Sequence, residues 1–290
     1  MKLRDVLINS AEQRPRAGVR LALHLILLVA FVLLFEFAAV LLIVATRGGV
    51  ESMQGQVLQA ASVLLATTFS VQLARRFVDR RSLAGLGLQR ERAGRDLLFG
   101  IGIAGAMMAF IYVSGLALGW IRLEGYAWQA PATDWVPDIL DWVAVFLMVG
   151  WYEELLNRGY WLVNLSEGLN RVLAALITSI AFALLHANNP SASFASTAGL
   201  FVSGLWFAYT AFASRGLWLP VGAHIGWNIF EGVVFGFPVS GLTTATLIRQ
   251  TALGPELWTG GPFGPEAGLI LLPALALGTL AVRGYTRGRS

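Results

Sequence analysis

Residues 21–46 read LALHLILLVAFVLLFEFAAVLLIVAT, twenty-six residues with only two ionisable side chains, His24 and Glu36. The hydrocarbon core of a bilayer is spanned by about 20 helical residues, so this stretch is long enough to cross it. Seven further apolar runs follow, at 56–76, 96–119, 137–163, 171–187, 194–214, 217–235 and 265–283. None shows the alternation of barrel strands, and an unclosed strand cannot satisfy its backbone in lipid. The spacing therefore predicts an all-α, polytopic membrane protein of about eight transmembrane helices.

Composition agrees. Of 290 residues, 56% are hydrophobic and 13% are charged, against about 25% charged in an ordinary soluble domain. So few charges cannot cover a water-facing surface, which excludes a soluble enzyme, a disordered chain and a nucleic-acid-binding module. Cysteine is absent, which excludes a disulfide scaffold, a Cys nucleophile and Cys-ligated zinc. The first run follows a basic leader and lacks a convincing small-x-small cleavage site, so it reads as a retained anchor. The chain divides into a leader (1–20), N-terminal transmembrane helices (21–135), a core (136–240) and an outer loop with the last helix and basic tail (241–290).

The sequence pI is about 9.8, and the placement of the basic residues explains it. Lys2, Arg4, Arg14, Arg16 and Arg20 precede the first run, and Arg75, Arg76, Arg80, Arg81, Arg90, Arg92 and Arg95 lie between the second and third. Arg171, Arg215, Arg283, Arg287 and Arg289 mark the later boundaries on the same side, whereas the alternate loops hold only Arg47, Arg122 and Arg249. By the positive-inside rule both termini are cytoplasmic, which requires an even number of spans. Trp120, Trp128, Trp135 and Trp258 fall on the other side, as an interfacial belt does. The basic segment 77–95, with Leu83, Leu86 and Leu88, reads either as an amphipathic stretch on the inner leaflet or as a plain cytoplasmic loop.

Ionisable groups inside the bilayer cost at least about 2.5–3.5 kcal/mol each at a helix centre and mark function. All three histidines, His24, His186 and His224, lie in apolar runs, as do Glu36, Glu153, Glu154 and Glu231. In the fourth run, WYEELLNRG (151–159) sets two adjacent carboxylates about 100° apart on a helix. Glu154 and Arg158 share a face at i and i+4 in the favoured order, which leaves Glu153 without a local partner. In the fifth, FALLHANNP (182–190) puts His186 on the last turn before a break at Pro190. In the seventh, His224 and Asn228 share a face, and Gly222 and Gly226 permit close approach of a helix or a substrate backbone. Counted along their helices, Glu153, His186 and His224 lie at unequal depths, so tilt or offset is needed for them to meet.

Glu-Glu-x-x-x-Arg, Phe-x-x-x-His and His-x-x-x-Asn in this order resemble the motifs of the CAAX prenyl protease and bacteriocin-processing (CPBP, Abi) family of intramembrane endopeptidases. The resemblance covers about 140–240. Leu217–Asn228 and Phe235–Gly241 (FGFPVSG) look like its bacterial branch, and the use of Arg over Lys points the same way. The resemblance implies eight helices around a membrane cavity, a water activated by Glu153 and His186, an oxyanion held by His224 and Asn228, and supporting roles for Glu154 and Arg158. Asn157 stands where family members often have Phe, a change expected to affect packing more than chemistry. Glu153, His186 and His224 would also be a zinc set, so the metal stays open. A metal-free mechanism is favoured because His224 pairs naturally with Asn228.

The expected partners are a peptide or membrane-protein substrate and the lipid bilayer, with no nucleic acid. The expected location is a bacterial cytoplasmic membrane, with the cavity opening to the cytoplasm. The competing readings are a membrane scaffold that keeps the motifs as a polar core, and a proton-coupled transporter with Glu153, Glu154 and the histidines as a relay. No duplicated halves support the transporter. His-Glu-x-x-His, Gly-x-Ser-Gly and Gly-x-Gly-Asp, the marks of other intramembrane proteases, do not occur.

Overall fold

The computed structural model describes residues 7–9 and 12–288; Lys2, Arg4 and Arg289 of the orientation argument lie outside them. A two-residue strand β1 (Ile8–Asn9) pairs with β2 (Arg14–Pro15) ahead of helix α1 (Ala17–Ala45). Helix α2 (Met53–Leu73) starts at Ser52, whose hydroxyl accepts the Gly55 amide, and runs on as a π-helical turn to Val78. Helix α3 (Ala93–Ala117) leads into β3 (Ile121–Tyr126). Helix α4 (Val136–Glu154) continues through a π-helical stretch (Leu155–Trp161) into a last α-helical piece (Leu162–Gly168). Helix α5 (Arg171–Leu185) is capped by Asn170, and α6 (Phe194–Ser214) by the Ser193–Ser196 box. Helix α7 (Trp218–Asn228) ends in a π-helical turn (Ile229–Val234). After β4 (Ile248–Ala252), antiparallel to β3, helix α8 (Leu271–Thr286) closes the chain.

These eight helices fall on the eight expected runs. By length and composition α1, α2 and α3 can each cross a membrane. Two runs need correcting. The eighth begins at Leu271 rather than 265, because Gly264 and Gly268 bracket a short 3-10 turn that folds under the loops. The fifth stops at Leu185, a 15-residue helix shorter than a full span. The lipid-facing side is legible on α1, where Ile26, Leu33, Phe37 and Val44 are exposed; such a continuous apolar band suits lipid rather than water.

Glycine sets the closest packing. A Cβ on Gly100 would strike the α7 backbone at Leu219 and Ala223, and one on Gly222 would strike the Leu97 carbonyl. The small residues thus let α3 and α7 touch backbone to backbone, as in membrane helix pairs. Of the two partners open for Gly222 and Gly226, the structure selects a helix.

The two ends of the bundle differ in charge. At one end Glu167 receives Arg14 (3.0 Å), Arg20 (2.9 Å) and Arg81 (2.8 Å), while buried Asp79 receives Arg75 (2.7 Å) and Tyr160 (2.9 Å). Gly87 accepts the Leu217 amide, and Arg95 lies over the Tyr285 ring. These contacts gather the arginine-bearing segments onto one face. The segment 77–95 is not a flat surface helix: Leu86 is buried in the body behind a short 3-10 turn. At the other end lie the β3–β4 ribbon and the pairs Trp120–Trp258 and Tyr126–Trp128.

Candidate functional site

Glu153 and Glu154 leave α4 just before its π-helical stretch, a form common at functional sites, and they point apart as the helix period requires. Glu154 is fully buried. Its Oε1 accepts from Arg158 Nη1 at 3.0 Å and from His224 Nδ1 at 2.8 Å. Arg158 also donates to the Gly204 carbonyl at 3.3 Å, and its guanidinium lies 4.4 Å from the Phe182 ring centroid and 5.0 Å from that of Phe207. The charged pair is therefore held on both partners, with aromatic faces taking the cation's remaining surface.

His186 caps the C-terminus of α5, and its Nδ1 lies 2.8 Å from the Phe182 carbonyl. A carbonyl only accepts, so Nδ1 carries the proton and Nε2 faces the other way. The carboxylate at His224 Nδ1 orients that ring in the same sense. Both Nε2 atoms lie 3.8 Å from one oxygen, Glu153 Oε2, which has no hydrogen-bond partner among the described residues. At that distance there is no direct bond, but one small polar molecule fits between the three atoms. Asn228, a turn beyond His224, lines the same cavity. The four residues Glu153, His186, His224 and Asn228 thus come together despite their unequal depths, because α5 ends at the site instead of running past it. His24 stays away from them, stacked on Tyr160 at 4.1 Å near the arginine face.

Three atoms of this kind are the donors of a catalytic zinc. Ligands at about 2.0–2.1 Å in a tetrahedral shell lie about 3.4 Å apart, closer than the 3.8 Å seen here. Among the described residues no His, Asp or Glu group of three or more is arranged to hold a metal ion.

The cavity encloses about 810 Å3. Its lining brings in two residues that the motifs did not flag, Phe207 and Glu266; the Glu266 carboxylate accepts at 2.5 Å from Ser240, which lies in the FGFPVSG stretch. Glu266 lies in a loop far along the chain, and only tertiary contact reveals it. Glu36 also lines the cavity and accepts from Ser62, whereas Glu231 is buried outside it. The lining also takes in Val50, Glu51, Asn189, Leu242 and Thr243, from the connections at the end opposite the arginine face.

Fold and site together define a helical membrane protein whose embedded cavity holds a carboxylate between two imidazoles. Residues 135–230 match the family model described as type II CAAX prenyl endopeptidase Rce1-like, about a third of the chain. All six motif residues lie within the match. No curated protein and no solved structure matches the chain.

Proposed function

We propose that the chain hydrolyses a peptide bond of a membrane-associated polypeptide by a metal-free glutamate mechanism. The observation that carries this reading is the partnerless Glu153 Oε2 standing 3.8 Å from both His186 Nε2 and His224 Nε2. A water between these atoms gives a proton to Glu153 while its oxygen attacks the scissile carbonyl carbon. His186, with Nδ1–H committed to Phe182, orients that water through Nε2. The oxyanion that forms is taken by the Asn228 amide and by the His224 ring, which Glu154 holds in place through Nδ1. Collapse passes the proton from Glu153 to the leaving amine and releases two peptides. Glu154 and Arg158 act through His224 as positioning residues.

A cleavage assay on the reconstituted protein tests the proposal. Glu153→Gln and His186→Ala are expected to lower kcat by about 10^2–10^4-fold, and Asn228→Ala by about 10^2–10^3-fold. Unchanged cleavage in the first two variants would sink the protease reading and favour a scaffold. Proton-gradient-dependent flux that is lost in Glu153→Gln would favour a transporter. The sequence signals of the bacterial branch and the positive-inside pattern support a bacterial cytoplasmic membrane with both termini inside.

A further inference from the structure

We infer that Glu36 is a specificity-determining residue of the cavity: its carboxylate takes a Lys or Arg side chain of the substrate, so that the chain cleaves polypeptide segments with a basic residue near the scissile bond. The inference rests on the endopeptidase reading and adds the chemistry of the substrate to it.

The apolar run of α1 holds two ionisable groups, and packing accounts for only one of them. His24 is buried, stacked on Tyr160, and accepts from the Trp161 indole at 3.3 Å. Glu36 lies further along the helix, beside Leu33, Leu34 and Phe37, which are exposed toward lipid. A carboxylate at such a depth is costly and is kept where it pairs or acts. Among the described residues Glu36 has no cationic partner, and its one hydrogen bond runs from the Ser62 hydroxyl of α2 to Oε1. The fully buried carboxylates are placed differently. Glu154 has Arg158 and Asp79 has Arg75, and Glu231 is sealed off from the cavity. Glu36 is only half-buried and lines the cavity, so its missing cation can come from what the cavity receives.

The surroundings of Glu36 tie it to the reacting centre. It shares the cavity with Glu153, and Tyr152 interacts electrostatically with both carboxylates. Gln56 and Gln59 of α2 continue the polar wall on that side, and the lining contains no Lys or Arg. Its other carboxylates are accounted for. Glu153 is committed to the water, Glu266 accepts from Ser240, and Glu51 is exposed in the α1–α2 connection. A cation that enters beside Glu36 therefore meets a fixed opposite charge in a cavity of low dielectric, where such a pair is stronger than in water. An acidic side chain at the same place meets the like charges of Glu36 and Glu153, which is discrimination by repulsion.

The test uses single-anchor membrane polypeptides with a randomised juxtamembrane stretch, incubated with the reconstituted full chain, and mass spectrometry of the products. Lys and Arg are expected to be enriched at one position relative to the cut. When the best-cut sequence is remade with Lys or Gln at that position, kcat/KM should favour Lys by about tenfold or more. Glu36→Gln keeps the shape of the side chain and an acceptor for Ser62, and should bring that ratio to about one, whereas Glu36→Asp should keep a preference for Lys. Cutting without a basic preference, or a preference unchanged in Glu36→Gln, overturns the inference and leaves the endopeptidase reading standing. If the parent cuts none of the polypeptides, the endopeptidase reading falls, and the inference with it. Because the chain has no cysteine, proximity can be read separately. Glu36→Cys and a substrate with Cys in place of its basic residue should form a disulfide adduct on treatment with a mild oxidant, and absence of the adduct overturns the inference.

Discussion

Replacing Glu154 by Gln keeps the shape of the side chain and removes its charge. In the folded protein that charge faces Arg158 at 3.0 Å and His224 at 2.8 Å, and all three groups are buried. After the change the guanidinium keeps only the Gly204 carbonyl at 3.3 Å and two aromatic faces, and its Nε already has no partner. Breaking a buried ion pair on one side costs about 3–5 kcal/mol. The amide still offers one acceptor oxygen, so about 3 kcal/mol is expected for Glu154→Gln. Arg158→Met leaves a buried carboxylate and is expected to cost about as much or more. The double variant removes both charges and should cost little more than one single change, a coupling of about 2–3 kcal/mol. Reversible unfolding in mixed micelles measures all four corners of the cycle. Costs that simply add, or single variants within 1 kcal/mol of the parent, would refute the view that this pair holds the site. A purely structural role would not select kcat. Because Glu154 acts through His224, Glu154→Gln should also lower kcat by about 10^2-fold or more while KM changes little.

The remaining expectations can be checked separately. Gly222→Ala pushes a methyl into the Leu97 carbonyl, so α3 and α7 must part at a cost of about 1–3 kcal/mol, whereas Gly102→Ala meets open space and should be neutral; comparable thermal stability of the two variants would contradict the close packing. Glu124, in β3 outside the membrane, is held below its ordinary carboxylate value by the Thr251 hydroxyl and then by Arg122, each at 2.8 Å. Its folded value is the lower one, so its support for the β3–β4 ribbon is present above pH about 4.5 and lost as pH falls through the folded value; a Glu124 titration midpoint at or above 4.5 would overturn this. Complete metal removal should leave cleavage intact, and activity that is lost on chelation and restored by zinc would replace the glutamate mechanism with a metal one.

The sequence made the site largely legible because its chemistry is local. Glu154 with Arg158, and His224 with Asn228, are i, i+4 pairs that any helix brings onto one face, and Pro190 beside His186 announces the end of α5. What lay beyond the sequence depends on contacts between distant segments. Glu266 reaches the cavity through Ser240, and Phe207 flanks Arg158 from α6; neither carries a periodic or motif signal. Phe182 could be placed in a motif, but its double duty could not be foreseen: its carbonyl fixes the His186 tautomer and its ring faces the Arg158 cation.

By itself the sequence determined that this is a helical membrane protein, where its helices run to within a few residues, and which face gathers positive charge. Those properties follow from the free energy of moving each segment into lipid, a sum over neighbouring residues. The tertiary structure decided that Glu153, His186 and His224 converge and that Gly222 serves a helix contact. Helix offsets are set by how the helices pack against one another, and no single segment encodes that.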